Sequence, residues 1–163
     1  MANSLARSLS KLRLPVPVSM GGTGTTSMGA GAVGAVSQVA GIPTGAIIEY
    51  QTNVNGSYVK WADGTMLAWA TTTFTTAVDT AVGGGVGFYA PTVVPVKTMP
   101  TSFVGIPKAW KSLYVPTGEF STGTSGIWRP PTVNSWASFF LLELFARPSR
   151  IYTIEYFALG RWF

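Results

Sequence analysis

The stretch "NGSYVKWADGTMLAW", residues 55–69, carries two runs of alternating aromatic and small residues on either side of Ala-Asp-Gly. Alternation with a period of two places every second side chain on the same face of an extended chain, as in a half-buried strand. Asn55-Gly56 and Asp63-Gly64 are turn pairs, because Asn, Asp and Gly tolerate the positive φ of tight hairpins. The stretch therefore predicts two strands joined by a tight turn, with another turn just ahead of them.

Short strand-like runs continue on both sides of this hairpin. "AIIEY" precedes it from Ala46, and "TMLAWATTTFTT" extends its second strand. Further runs, separated by Pro and Gly, read "GFYA", "TSFVGI", "KSLYVP", "GIWR", "SWASFFLLELFA" and "RIYTIEYFALGRWF". Helix-forming stretches are nearly absent, and 137–146 is the one ambiguous segment. Residues 46–163 are therefore predicted to form an all-β, sandwich-like head.

The end of the chain is unusually bulky. The alternation of a strand continues almost to the C-terminal carboxylate, with one face made of Ile154, Tyr156 and Ala158. We therefore expect this terminus to be fixed in the core or in a subunit interface.

Two segments of different composition precede the head. Residues 1–14 form a predicted attachment arm, in which leucines at spacings of four and three lie opposite basic residues; the attachment residues are Leu5, Leu9, Leu12, Arg7, Lys11 and Arg13. A helix this short is marginal alone, so a partner must complete it. Residues 15–45 are rich in Gly, Ala, Pro, Ser and Thr and are predicted to form a neck.

Charge is scarce along the whole chain. Charged residues are 10% of the 163 residues, against a usual share of about 25%. Much of the surface must then be neutral or apolar, which predicts burial between subunits. The net charge is +5, and the basic residues outside the arm are scattered singly along the chain. No nucleic-acid partner is therefore expected. Residues 28–48 are mildly apolar but interrupted by Gly and Pro, so no membrane insertion is expected.

Several site classes are excluded by missing residue types. The chain has no Cys and no His, which excludes thiolate metal sites, imidazole zinc sites and His-based catalytic triads. No acidic loop has the spacing of a Ca²⁺ site, so no metal is predicted. "GAGAVG" matches a dinucleotide fingerprint at Gly29, Gly31 and Gly34, but a strand before it and a helix after it are missing. No cofactor is therefore predicted.

The acidic residues leave one enzymatic alternative open. They are Glu49, Asp63, Asp79, Glu119, Glu143 and Glu155. A capsule-degrading glycoside hydrolase needs two carboxylates a few ångströms apart, and an intersubunit cleft could combine acids from different chains. Asp63 is explained as a turn residue, and Glu143 and Glu155 lie in strand patterns that favour a salt bridge or an outward position. The chain is therefore predicted not to be an enzyme, with the hydrolase as the alternative.

Three tryptophans fall beside Pro, Gly, basic residues or Asn in segments that read as loops, "PKAWKS" and "SGIWRPPTVNSW". An aromatic ring edged by hydrogen-bond donors suits a sugar, whose ring has an apolar face bordered by hydroxyls. The predicted receptor-binding residues are Trp110, Trp128, Trp136, Lys108, Lys111, Arg129 and Asn134. The alternative is that these aromatics pack under loops or between subunits.

The opening hairpin also carries a family resemblance. "TNVNGSYVKWADGTMLAW" resembles the hairpin of C-terminal domains in tailed-phage and phage-tail-like bacteriocin fibres, where an Asn-x-Asn-Gly-x-Tyr-x-x-(aromatic)-x-Asp-Gly-Thr string precedes a Trp-containing strand. The matching positions are Asn53, Asn55, Gly56, Tyr58, Trp61, Asp63, Gly64, Thr65 and Trp69. "LPVPVSMGGTGTTSMGAGAVGAV" is similar to the Pro-Val-Ser-x-Gly-Gly-Thr-Gly segment before such heads, and "YFALGRWF" is similar to their final strand.

The resemblance implies a homotrimeric tail fibre, a virion component whose N-terminal part attaches to a tail or baseplate protein. Its head would bind a host-surface polysaccharide or outer-membrane component during adsorption. One departure is the missing shaft, because only residues 1–45 precede the head; this implies a very short fibre, or one joined to another protein through residues 1–14. A purely structural collar or decoration protein is the remaining alternative.

Overall fold

The computed structural model describes residues 32–83, 87–90, 93–116, 125–128 and 130–163, with 125–128 described by their backbone alone. The arm, residues 15–31 of the neck, most of "GAGAVG", Glu119 and Arg129 lie outside the described residues. The described residues fall into two compact units, one made of 32–49 with 61–63, the other of 50–60 with 64–163.

From residue 33 onward, all named secondary-structure elements of the described residues are strands, so the all-β prediction is confirmed. They are β1 Gln38–Val39, β2 Ile42–Pro43, β3 Ile48–Asn53, β4 Gly56–Trp61, β5 Thr65–Val78, β6 Thr80–Ala81, β7 Phe88–Tyr89, β8 Lys108–Tyr114, β9 Ser125–Trp128, β10 Phe139–Glu143 and β11 Arg147–Arg161. Within the described ranges, no helix has the length and apolarity to cross a bilayer.

The first unit contains a small hairpin inside the segment predicted to be the neck. Strands β1 and β2 pair antiparallel across Ala40 and Gly41, which both have positive φ, 51° and 83°. Positive φ at both central residues is the geometry of a type I′ hairpin turn. The Glu49 carboxylate, which is buried, accepts a hydrogen bond from the Val36 amide at 2.9 Å. The domain boundaries at 14/15 and 45/46 stay predictions.

The opening stretch folds as its pattern predicts. Strand β3 ends at Asn53, β4 begins at Gly56, and the turn at 62–64 leads into β5. Gly56 and Gly64 have φ of 137° and 89°, a region that favours glycine. A Cβ at Gly64 would meet the Arg161 guanidinium. Both turns therefore need the residue that the sequence places there.

A five-stranded sheet, in the order β3-β4-β5-β11-β8, dominates the second unit. Strand β11 lies at its centre in long antiparallel pairings, from Thr65↔Arg161 to Val78↔Arg147 with β5, and from Lys108↔Leu159 to Tyr114↔Thr153 with β8. Ile154, Tyr156 and Ala158 of β11 are buried. The prediction that the C-terminal strand is fixed in the core is confirmed.

The second sheet of this unit is smaller, with four strands in the order β6-β7-β10-β9. Strand β10 occupies the middle of the ambiguous segment 137–146, which is therefore extended there and not helical. One hydrophobic core joins the two sheets, with Met66, Ala68 and Tyr156 from the five-stranded sheet and Phe139 and Leu141 from the four-stranded sheet. The sheets thus pack face to face, as in a sandwich.

Two local predictions were wrong. "TSFVGI" is not a strand: residues 101–107 are irregular, because Pro100 and Pro107 bracket a segment that also contains Gly105. The loop predicted around Trp110 is a strand instead, since Trp110 lies within β8. Loop-forming neighbours surround Trp110, but pairing with a longer strand overrides them. Trp128 ends β9, as the strand-like run "GIWR" predicts, although its neighbours also resemble a loop.

Candidate functional site

The outward side of the five-stranded sheet is the candidate site. Burial alternates along β8, where Lys108, Trp110, Ser112 and Tyr114 are exposed and the residues between them are half-buried. The strict antiparallel register extends this alternation across β11, β5 and β4. We call the side that faces away from the core the outer sheet face.

Aromatic rings follow one another across this face, and three of them lie at one level of the register. Trp110 lies opposite Phe157 and Phe157 opposite Trp69. The Trp110 and Phe157 rings are nearly parallel, with centroids 6.0 Å apart and planes at 12°. Tyr50 of β3 and Trp69 form a similar pair at 6.0 Å and 28°. These four residues, Tyr50, Trp69, Phe157 and Trp110, are called the aromatic row.

Different side chains border the row on its two sides. Two residues along β11 toward Arg161, Lys108 lies opposite Leu159, which is opposite Leu67. Two residues in the other direction, Ser112 lies opposite Glu155, which is opposite Thr71. The row therefore has an ammonium group on one border and a carboxylate with two hydroxyls on the other. Together these supply the donors and acceptors that a ring of hydroxyl groups requires.

Exposure distinguishes the ends of the row from its middle. Trp110 is 50% exposed and Tyr50 is 55% exposed, while Trp69 and Phe157 are half-buried. An open aromatic surface can stack a flat apolar ligand face without rearrangement. By contrast, the cleft beside β5 lined by residues 72–74 and 94–97 holds about 150 Å³, which is small for a ligand pocket. The outer sheet face is therefore the better candidate.

Of the predicted receptor-binding residues whose side chains the structure describes, two lie together. Lys108 and Trp110 share the outer sheet face. Lys111 lies between Trp110 and Ser112 in sequence. Because side chains alternate along a strand, Lys111 points to the other side of the sheet. Its ammonium nitrogen lies 3.9 Å from the Phe139 ring centroid, and burial lowers the pKa of Lys111.

Trp136 lies in the core and not on the outer sheet face, and its predicted receptor-binding role stays a prediction. Trp136 is 1% exposed and stacks on Tyr156 with ring centroids 5.2 Å apart. The alternative, packing beneath a loop, applies to this residue. Asn134 is exposed in the turn before it, where Thr132 donates a hydrogen bond to the Asn134 carboxamide oxygen at 2.9 Å.

The remaining predicted residues are placed only in part. The Trp128 backbone pairs with Phe139 in the four-stranded sheet. The side chains of Trp128 and Arg129, and the attachment residues of the arm, lie outside the described residues. Their roles stay predictions.

Sequence reasoning missed Tyr50, Phe157, Glu155 and Ser112 as members of the site, and read Trp69 only as packing. The alternation in β5 and β11 was visible, and it does place Trp69 and Phe157 at outward positions. What the sequence does not show is the register that sets β11 between β5 and β8. Without this register, Trp69 and Phe157, which are 88 positions apart, cannot be assigned to one row.

The acidic residues of the described part are mostly engaged within the chain. Glu143 is buried in an ion pair with Arg150, whose Nη2 donates to Glu143 Oε1 at 2.6 Å. The Glu49 carboxylate accepts the Val36 amide, as described above. Among the described residues, no three acidic side chains converge in a group that could hold a metal ion.

Two solved structures are similar to this chain. No protein-family model matches the chain, and no curated protein matches it. A C-terminal fragment of the P. aeruginosa R1 pyocin fibre is 12% identical with a TM-score of 0.49, over 98% of this chain and 38% of that fragment. An N-truncated R1-type pyocin tail fibre is 13% identical with a TM-score of 0.48, over 69% of this chain and 84% of that one. Both of these solved proteins are pyocin fibres.

Proposed function

We propose that the chain is a structural protein of a phage tail or phage-tail-like particle, a short homotrimeric fibre whose head binds a host-surface saccharide during adsorption. The hairpin, neck and terminal-strand sequences support the fibre assignment. The observation that carries the binding function is the half-exposed Trp110 ring, supported by Phe157 and bordered by Lys108, Glu155 and Ser112. The role is recognition, and it assigns no catalytic residue.

The binding would work by stacking combined with hydrogen bonding. The apolar face of a sugar ring would lie on Trp110, because aromatic faces accept C–H-rich surfaces that sugars present. Lys108 and Glu155 would then meet hydroxyl groups at the two edges of the sugar. A single open site of this kind is weak, and three copies on one fibre would raise the overall avidity by orders of magnitude.

We expect Trp110→Ala to lower saccharide binding by about tenfold or more per site, which is ~1.4 kcal/mol. The control is Tyr114→Ala, because Tyr114 lies on the same strand and face and is 43% exposed, but is four residues from Trp110. Binding is measured on an array of purified lipopolysaccharides and capsular polysaccharides. Equal binding by wild type and Trp110→Ala, or equal losses in the two variants, would contradict the proposed site.

The outer face of the four-stranded sheet supports assembly between copies. Tyr89, Phe140 and Leu142 point outward there, with the Tyr89 and Phe140 rings edge to face at 6.4 Å. The turn that follows adds Leu144 and Phe145, 59% and 62% exposed. Among the described side chains of β6, β7 and β10, none that points outward is charged. Depletion of charge is typical of the centre of a subunit interface.

We expect purified protein to have three times the 17.2 kDa chain mass by light scattering at micromolar concentration. The double variant Leu144→Ser, Phe145→Ser should dissociate at concentrations where wild type stays trimeric, because it removes two apolar contacts from the interface. Val104→Ser, Ile106→Ser is the matched control, since these residues are 65% and 70% exposed in a different loop. A monomeric wild type would contradict the trimer.

The arm at residues 1–14 completes the proposal. Its leucines and basic residues are proposed to bind another tail or baseplate protein, so that the head points away from the particle. A truncation that begins at residue 15 should keep the trimer and its saccharide binding, and lose attachment to the particle.

A further inference from the structure

The aromatic row crosses the whole five-stranded sheet. It begins at Tyr50 on the edge strand β3, whose ring stacks on Trp69 of β5, and continues through Phe157 to Trp110 on β8, the opposite edge strand. Four interstrand spacings separate its ends, which amounts to roughly 19 Å. That length corresponds to several linked sugar rings and is greater than the length of a single ring.

The two ends of the row are built alike, although they share no residue. Each consists of two stacked aromatic rings, one of which is about half exposed. These pairs are Trp110 on Phe157 and Tyr50 on Trp69, where Trp110 and Tyr50 are the exposed rings. Ser57 lies opposite Trp69, and its small side chain lets the Tyr50 and Trp69 rings approach across β4. The row therefore has two separate stacking positions.

Hydroxyl groups accompany the Tyr50 end as well. Thr52 Oγ1 donates to the Tyr50 hydroxyl at 3.0 Å and lies 2.9 Å from Ser57 Oγ. All three groups are exposed or half-buried at the surface. This end thus offers an aromatic face edged by hydroxyls, whereas the Trp110 end offers one edged by Lys108, Glu155 and Ser112.

We propose that the outer sheet face binds an extended saccharide along the aromatic row, with one sugar stacked at Trp110–Phe157 and another at Tyr50–Trp69. The ligand would then be an internal stretch of a host polysaccharide chain, since a single terminal sugar fills only one of the two positions. This inference rests on the proposed function and adds to it the length of ligand that the site takes.

Area and charge favour a saccharide over a second copy of the chain on this face. The exposed parts of the four rings amount to roughly 300–400 Å², taking 150–250 Å² for a whole aromatic side chain. A stable subunit interface takes about 800 Å² from each partner. The face also carries Lys108 and Glu155 beside the row, whereas interface centres are depleted of such charges.

The test uses size-fractionated fragments of the array polysaccharide that wild type binds most tightly. Affinities are measured by calorimetry for single repeating units and for successively longer fragments. For wild type, we expect affinity to rise with length until both stacking positions are filled. Tyr50→Ala should bind single units as wild type does and long fragments about tenfold more weakly, while Trp110→Ala weakens both.

Tyr50→Phe is the matched variant, because it keeps the ring and removes only the hydroxyl, and it should retain most of the length dependence. A Tyr50→Ala protein with unchanged affinity at every length, or with the same loss at every length, would overturn the two-position site. A fall in its light-scattering mass would instead assign this face to contacts between copies. Failure of wild type to bind any saccharide would overturn the proposed function itself, together with this inference.

Discussion

Glu143→Ala should lower the free energy of unfolding by about 3–5 kcal/mol, the range found when one partner of a buried ion pair is removed. The Glu143 side chain is 1% exposed and the Arg150 side chain 9% exposed. Glu143 Oε1 accepts a hydrogen bond from Arg150 Nη2 at 2.6 Å, and Arg150 Nε donates to the Tyr152 hydroxyl at 3.0 Å. Arg147 Nε approaches the other carboxylate oxygen, Oε2, at 4.0 Å.

The cost arises because the substitution removes one negative charge and leaves two guanidinium groups close together near the end of β10. Chemical denaturation monitored by far-UV circular dichroism measures the effect. Glu155→Ala is the matched control, because Glu155 is a half-buried carboxylate at the surface of the other sheet; it should cost less than about 1 kcal/mol. A loss for Glu143→Ala no larger than that of the control would contradict a structural role for the ion pair.

Trp136→Ala should cost a similar amount, about 3–5 kcal/mol, since it removes a fully buried aromatic side chain from the core and leaves a cavity. Trp136 belongs to the hydrophobic cluster that joins the two sheets, and its ring stacks on Tyr156. The half-exposed Trp110 is the matched control, and Trp110→Ala should cost about 1 kcal/mol. Equal losses for the two tryptophans would contradict the burial of Trp136.

Conservative variants separate the apolar from the polar part of this contact. Within the described part of the chain, Trp136 Nε1 and the Tyr156 hydroxyl are buried without a hydrogen-bond partner, and burial raises the pKa of Tyr156 to about 12. Removing a buried hydroxyl without a partner costs little, because no hydrogen bond is lost. Tyr156→Phe should therefore change the free energy of unfolding by less than about 1 kcal/mol, by the same denaturation assay.

The strands follow from local sequence to a large extent. The turn pairs Asn55-Gly56 and Asp63-Gly64, and the alternation through β5 and β11, determine where these strands run and which residues share a face. The short strands of the four-stranded sheet were harder to predict, since a two-residue strand such as β7 is too short to show an alternation of side chains. "TSFVGI" shows the opposite error, where β-forming side chains lie in a segment whose prolines prevent pairing.

The site was predictable only in its chemistry. A tryptophan beside a lysine indicated a sugar-stacking surface, and Trp110 with Lys108 keeps that arrangement. Lys111 and Trp136 look equally suitable in sequence, yet they point into the core. Adjacent residues of a strand point to opposite faces. Because the neighbours of Trp110 predicted a loop, the sequence did not indicate that Lys111 lies on the side opposite Trp110.

The sandwich thus presents two different apolar faces on opposite sides. The outer face of the four-stranded sheet lacks outward charge among its described side chains and suits contact between copies. The outer sheet face combines stacked rings with Lys108, Glu155 and hydroxyl groups, and suits a saccharide. If both proposed contacts form, this division gives a physical reason for a chain in which charged residues make up only 10%, because each face would then bury apolar surface.

The most direct measurement is a titration followed through the indole N–H resonances of the six tryptophans, using the array polysaccharide fragment that wild type binds. Each indole gives one ¹H–¹⁵N signal, assigned by single Trp→Phe variants. We expect the Trp110 and Trp69 signals to shift until the site is saturated, while the buried Trp136 signal stays in place. Saturable binding that leaves Trp110 and Trp69 unchanged would contradict the assignment of the outer sheet face as the receptor-binding site.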